Sequence, residues 1–206
     1  KLIQLKRISS VDFELEKCPK ISENGISSLL LTTQGLKDLE KITINFQTLE
    51  KFKSLAKSCE KVSCLKTIPY LDIFFDATDE EFLKLKKTLN SLQEIKHLKL
   101  AMHRCPKVTD QTVKVISESL QKLSTLESLN LDFYSTSITS EALRFLKEGL
   151  AENHNLKSLI INLPYCQGIK NEALGHLASI LKQLPKLIRL GIRLDETDIT
   201  DQGLIE

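Results

Sequence analysis

Apolar residues at the first, fourth, sixth and eighth positions of an octet recur seven times along the chain. The octets are ISSVDFEL from Ile8, LEKITINF from Leu39, IPYLDIFF from Ile68, IKHLKLAM from Ile95, LESLNLDF from Leu126, LKSLIINL from Leu156 and LIRLGIRL from Leu187. Their starts are separated by 31, 29, 27, 31, 30 and 31 residues, and all 28 specified slots are apolar. Alternation within each octet is the period of a strand with one face buried. A repeat of fixed length in this range predicts a solenoid in which each unit stacks on the next.

After most octets come a turn and a helix start: ISENGI at Ile21, VTDQTV at Val108, ITSEAL at Ile138, IKNEAL at Ile169 and ITDQGL at Ile199. Ser22, Thr109, Thr139 and Thr200 stand where a hydroxyl accepts the free amide hydrogens of a first helical turn. Asp110, Glu141 and Asp201 follow, where the positive end of the helix dipole favours a carboxylate. Thr78 to Glu81, TDEE, spells a capping box. Lys170 departs from the pattern, and Asn171 beside it is the alternative cap.

Helical periodicity then takes over. Phe82, Leu85, Leu89 and Leu92 form one stripe, Val113, Ile116, Leu120 and Leu123 a second, and Leu174, Leu177, Leu181 and Leu184 a third. The next octet begins three residues after the last stripe position. Asn153 breaks that rule before Leu156 and predicts a looser helix end. The turns after LEKITINF and IPYLDIFF are shorter, so the middle of the chain is expected to depart most from a regular arc. Each unit is strand, turn, helix and return. No unit buries its apolar faces alone, so the strands run parallel with the helices on the other side of the arc. The expected organisation is one domain over residues 1–206, six repeats and a partial seventh. A start at Lys1 without methionine, and an end at Glu206 inside a motif, read as a fragment of a longer solenoid.

The octets followed by ITDxGL-like helix starts resemble leucine-rich repeats of the ribonuclease-inhibitor-like kind. In three units a cysteine stands three residues past the octet: Cys18 in ELEKCPKIS, Cys105 in AMHRCPKVT and Cys166 in NLPYCQGIK. That form is similar to the cysteine-containing repeats of F-box-type substrate receptors. The resemblance implies an α/β solenoid, a curved right-handed arc with parallel strands on the concave face and helices on the convex face. The asparagine usual at the family's turn is absent. Cys18, Cys105 and Cys166, with Thr136 and Thr197, are the residues expected in its place.

Composition narrows the function classes. A net charge of +2 is too small to indicate a nucleic-acid binder, and no long apolar span indicates a membrane segment. Five cysteines (Cys18, Cys59, Cys64, Cys105, Cys166) without paired spacing argue against a disulfide framework and for a reducing, intracellular compartment. Cys59 and Cys64 have no matching ligand pair, so no metal is expected, and no phosphate-binding loop or other cofactor motif is present. Lysine-rich, tryptophan-free repeats fit a cytoplasmic protein, with a cytoskeletal or ciliary setting as the narrower expectation.

Function is then sought on the concave face, where octet positions five and seven and the residue after the octet point away from the core. The rows read Asp12, Glu14, Glu16; Thr43, Asn45, Gln47; Asp72, Phe74, Asp76; Lys99, Ala101, His103; Asn130, Asp132, Tyr134; Ile160, Asn162, Pro164; Gly191, Arg193, Asp195. Seven acids face two bases there, a patch near −5 on a chain of +2. The balancing lysines and arginines lie on helices and returns: Lys51, Lys53, Lys57, Lys61, Lys84, Lys86, Lys87, Arg144, Lys147, Lys182 and Lys186. These read as solvated outer faces.

Phe74, Tyr134 and Ile160 stand in the acidic field, and aromatic groups flanked by charges are what binding hot spots look like. The competing account has Phe74, next to Phe75, filling an irregularity around Pro69. The expected partner-binding residues are Asp72, Phe74, Asp76, His103, Asp132, Tyr134, Ile160 and Arg193, and the expected partner is a protein with a basic or mixed-charge segment, in a larger assembly. His103 with Asp132 or Asp76 is a conceivable acid–base pair, but no nucleophile accompanies it, so no enzyme is expected. A ubiquitin-ligase substrate receptor and a GTPase-activating protein remain alternatives, the latter with Arg104 and Lys107 as basic candidates at the turns.

Overall fold

The third residue of every octet begins a strand. In a computed structural model, which describes residues 7–15, 18, 20–46 and 63–205, the strands are β1 (Ser10–Glu14), β2 (Lys41–Phe46), β3 (Tyr70–Phe75), β4 (His97–Ala101), β5 (Ser128–Asp132), β6 (Ser158–Asn162) and β7 (Arg189–Arg193). They form one parallel sheet in chain order. Ser10 pairs with Lys41, Lys41 with Tyr70, Tyr70 with His97, His97 with Ser128, Ser128 with Ser158 and Ser158 with Arg189. The octet frame is therefore the sheet register itself. A slip of one residue would turn each buried set toward solvent, so the apolar slots hold the register.

Helices lie on the other side of the sheet: α1 (Glu23–Leu31), α2 (Asp79–Asn90), α3 (Asp110–Leu120), α4 (Ser140–Gly149), α5 (Glu172–Gln183) and α6 (Asp201–Ile205). Short 3₁₀ turns occupy Thr32–Gly35 and Ser63–Lys66. The chain folds as an α/β leucine-rich-repeat solenoid. Every apolar slot of the octets carrying β3, β4, β5 and β6 is buried, as are the stripes of α2 and α3 with the following Leu92 and Leu123. On α5 the buried set is Ala173, Leu177, Ile180 and Leu184, with Leu174 and Leu181 only half-buried. The small Ala173 lets α5 turn that edge toward the sheet, a choice that leucine spacing alone did not reveal. Helices α3 and α4 approach closely at Gly149, where a Cβ would stand 2.6 Å from the Cα of Ser117. In the outer octets Val11, Phe13, Leu187, Ile192 and Leu194 are half-buried and Leu190 is exposed.

The predicted caps form at Ser22, Thr109 and Thr139, each accepting an amide hydrogen of its first turn at 3.3 Å. Thr78 and Glu81 close the capping box. Asn171 instead turns its side chain to the next unit: its Oδ1 accepts the Thr200 amide at 2.9 Å and its Nδ2 donates to the Thr200 hydroxyl. That contact belongs to a row. Asp79 accepts from the amides and hydroxyls of Thr109 and Thr112, Asp110 from the amide and hydroxyl of Thr139, and Ser140 from the Lys170 amide. The carboxylates placed at the helix starts thus do more than meet a dipole, because they tie one repeat to the next.

The turns after the strands are tied as well. Cys166 and Thr136 both donate to the Phe133 carbonyl at 3.0 Å, Thr197 donates to Leu194, and the Cys105 thiol reaches the Phe75 carbonyl at 3.8 Å. These four replace the missing asparagine as expected, whereas Cys18 is exposed and free. Arg104, Ser135, Tyr165 and Glu196 repeat a left-handed backbone, with φ of 55°, 55°, 60° and 56°. The first three donate their amides to carbonyls of the following unit, at Tyr134, Pro164 and Asp195.

Two expectations need correction. Asn153 does not loosen the helix end: it is buried and donates to the carbonyls of both Leu120 and Leu123. Nor is the sheet irregular at its middle, since β2, β3 and β4 pair without a break. The expected shortening is seen in the connection after β3, where α2 begins at Asp79, four residues past Phe75. Residues 47–62, with Gln47, Lys51, Lys53, Lys57, Cys59 and Lys61, lie outside the described residues, as do Lys1 to Lys6 and Glu16.

Candidate functional site

A strand has period two, so the residues that face away from the helices include the third octet position as well as the fifth and seventh. That adds a column of Ser10, Lys41, Tyr70, His97, Ser128, Ser158 and Arg189 to the concave face. His97 therefore joins His103 there. Its ring stacks on Tyr70 with centroids 3.9 Å apart and planes within 5°. Burial lowers the His97 imidazole from its ordinary value, so the stack favours a neutral ring.

Lys41 and Arg189 also join the face, which makes it less acidic than the first count indicated. Neighbouring strands then match most of the remaining charge. Asp72 pairs with Lys41 at 2.9 Å. Glu14 accepts from Asn45, Asp195 pairs with Arg193 at 3.2 Å, and Asp132 meets His103 Nε2 at 3.2 Å. The Lys99 ammonium sits 4.4 Å from the centre of the Phe74 ring. Phe74 thus lies at the exit end of β3 and does not fill space at Pro69, whose carbonyl accepts the Lys96 and His97 amides. Phe75 is the buried partner, tilted against Phe82.

At the exit ends of the strands the face opens into a cleft of about 530 Å³ lined by residues of five successive units. Six of the eight expected binding residues converge on it: Phe74, Asp76, His103, Asp132, Tyr134 and Arg193. Asp72 and Ile160 do not. Asp72 is held at mid-sheet by Lys41, and Ile160 packs beside Gly191. A recess of about 160 Å³ continues behind the cleft between the short turn at Asp76–Thr78 and the longer turn at Arg104–Lys107. The unequal length of these two connections creates it.

An aromatic ledge runs along the cleft. The His103 and Tyr134 rings meet edge to face at 5.8 Å, and Tyr134 meets Tyr165 in the same way at 5.3 Å. Tyr165 is 51% exposed. Sequence reasoning missed it because it stands one position beyond the last expected column, on the left-handed turn residue. Arg104 occupies the equivalent position two units earlier, with Ser135 in the unit between, and its guanidinium is 5.9 Å from the Tyr134 ring centre.

The two carboxylates of the cleft have opposite environments. Burial alone would push Asp132 up, but the His103 imidazole, the Asn162 amide and the Tyr134 backbone N–H hold it below the usual carboxylate range. Burial pushes Asp76 up, and the Cys105 thiol 3.6 Å away and the more distant His103 offset this only in part. Asp76 has no cation in contact among the described residues. Cys105, whose thiol donates to the His103 carbonyl at 3.3 Å, is pushed up to about 11, chiefly by burial. It is protonated at neutral pH and poorly suited to nucleophilic work. Among the described residues no cluster of three His, Cys, Asp or Glu could hold a metal ion, and no helix is long and apolar enough to cross a membrane.

Several helix-borne charges pair with one another: Lys84 with Glu80, Lys86 with Glu118, and Arg144 with Glu141 and Glu148. No protein-family model matches the chain, and no curated protein sequence does. Among solved structures it is similar to actin-binding site 2 of leiomodin-1, at 23% identity over 62% of this chain and 68% of that one, with a TM-score of 0.47. It is also similar to the tropomodulin C-terminal domain of Caenorhabditis elegans, at 13% identity over 89% and 87%, with a TM-score of 0.49. The assignment as a leucine-rich-repeat solenoid rests on the repeat, the parallel register and the layer order of this chain itself.

Proposed function

We propose that the chain is a non-catalytic protein-interaction scaffold that takes a segment of another protein on its concave face, at the exit ends of β3 to β7. The observation that carries this reading is the convergence of His103, Tyr134 and Tyr165 into a partly exposed aromatic ledge flanked by charges. Such ledges supply large rigid contact area, while the charges around them set register and exclude wrong partners. The internal pairing of Asp72, Asp132 and Asp195 favours the mixed-charge segment over the basic one of the two expected partners. Helices of 9 to 12 residues in five units, and the thiol bonds of Cys105 and Cys166, support the ribonuclease-inhibitor-like, cysteine-containing form of the repeat.

The test is affinity capture from cell extract with the parent chain, a Tyr134→Ala/Tyr165→Ala variant and an outer-face Lys84→Ala/Lys87→Ala control. The expected result is a captured species lost with the first variant and kept with the second. Equal recovery by all three would remove the concave face from consideration.

A further inference from the structure

We infer that the cleft seats a protein segment bearing a cationic side chain for Asp76 and, beside it, a carboxylate for Arg104, an inference that rests on the interaction-surface reading above. Among the described residues that line the cleft itself, the other charged groups have partners within the fold, while Lys107 stands at the far side of the recess. Asp132 has His103, Arg193 has Asp195, and Lys99 has the Phe74 ring. Two groups are left. Among the described residues Asp76 is in contact with the weakly donating Cys105 thiol and no cation, with His103 acting on it only from a distance, and Arg104 lies over Tyr134 with no carboxylate in contact. Both line the cleft and the recess behind it.

A half-buried carboxylate without a cation is held at a cost, which burial expresses by pushing the Asp76 carboxyl up. An ammonium or guanidinium arriving from a partner would remove that cost. Arg104 argues against a purely cationic visitor, because a second positive group beside it would be repelled. It argues equally for an acid on the same segment. The His103–Tyr134–Tyr165 ledge supplies the apolar wall along which the alkyl stem of an arginine or lysine lies. A cleft of about 530 Å³ is of the size that accepts a few side chains and no folded domain. The occupant is thus a short mixed-charge segment.

The decisive experiment is an amide-resolved NMR titration at low salt with two blocked peptides, Gly-Arg-Gly-Glu-Gly and Gly-Glu-Gly-Arg-Gly, acetylated and amidated. Saturable shifts at Asp76, Arg104 and Tyr134 are expected with at least one order, at a Kd of about 1–10 mM. Replacing the peptide's arginine or its glutamate by glutamine weakens binding, as do Asp76→Asn and Arg104→Gln in the chain, each by about fivefold or more. Lys84→Ala leaves it unchanged. Asp76→Asn keeps the shape and an acceptor for Cys105, and its spectrum reports whether the fold is retained.

No saturable shifts, or shifts indifferent to these replacements, would overturn the inference. If the peptides fail while Tyr134→Ala/Tyr165→Ala still abolishes capture of the partner, the charge assignment falls and the interaction surface stands. If both fail, the surface itself is wrong.

Discussion

Two rows of side chains cross the stack beside the turns, and they differ in what they leave unmatched. The row at the helix starts, Asp79, Asp110, Ser140 and Asn171, hands every oxygen to an amide or hydroxyl of the next repeat. The row at the strand exits, Asp76, His103, Arg104, Tyr134 and Tyr165, is spaced by the same period but, among the described residues, keeps an anion and a cation without ionic partners beside an exposed ring. The first row is closed on itself and therefore architectural. The second is closed only in part, and what remains open is what a partner can recognise.

Breaking the closed row carries the largest expected effect. Asp79→Ala leaves the Thr109 amide and the hydroxyls of Thr109 and Thr112 without their acceptor, while the Thr112 amide keeps the Thr109 carbonyl, and Thr112 is fully buried. Loss of stability by about 3 kcal/mol is expected in urea unfolding. A loss under about 1 kcal/mol would mean that water replaces the carboxylate and that the row does not tie the repeats.

A smaller effect is expected at Asp132, the cleft carboxylate that the fold does satisfy. Its folded value lies below the unfolded one near 3.9. Its contribution is therefore present above that pH and is lost as pH falls through the folded value. Asp132→Asn should lower stability at pH 7 on the order of 1 kcal/mol and converge on the parent in acid, as read from melting temperatures across pH 3–7. A difference that persists unchanged at about pH 3 would point to packing and not to charge.

The smallest effect has the opposite sign. Burial raises Asp76, so its protonated form suits the fold, and that advantage is lost as pH rises through the folded value. Asp76→Asn should raise the melting temperature at pH 7 by about 2 °C or less, and the gain should disappear below the unfolded carboxylate value. A drop at pH 7 would show that Asp76 has a stabilising partner after all, and would weaken its place as a recognition group. The pair of substitutions is informative because both are isosteric and the two carboxylates line one cleft.

The fold was legible to the residue, because an apolar strand face and a helix stripe must both be buried by neighbours and no other stacking satisfies seven copies at once. Strand starts follow the octets without error. What misled were single polar letters. Asn153 reads as a weak helix end because its amide looks misplaced among leucines, yet two carbonyls of the preceding unit receive it. Asn171 reads as a cap and serves as a cross-link instead. In both cases the partner lies about 30 residues away, where local pattern carries no signal.

The candidate site was legible in outline. Columns at positions five, seven and nine located six cleft residues, but the third column and Tyr165 were missed, and Asp72 and Ile160 were counted in. Tyr70 and His97 belong to the face by the same alternation. Tyr165 is different: a left-handed turn at φ 60° sets its direction, and no side-chain period foretells it.

The sequence by itself determined the repeat length, the parallel order, the register and the buried face, since each follows from periodicity and from the free energy of hiding apolar surface. Tertiary structure alone decided which charges on the open face cancel. Pairing depends on distances across strands, and those distances brought Lys41 to Asp72 and His103 to Asp132 while leaving Asp76 and Arg104 without an ionic partner among the described residues. Charge can be counted along a chain, but its neutralisation is a property of three dimensions.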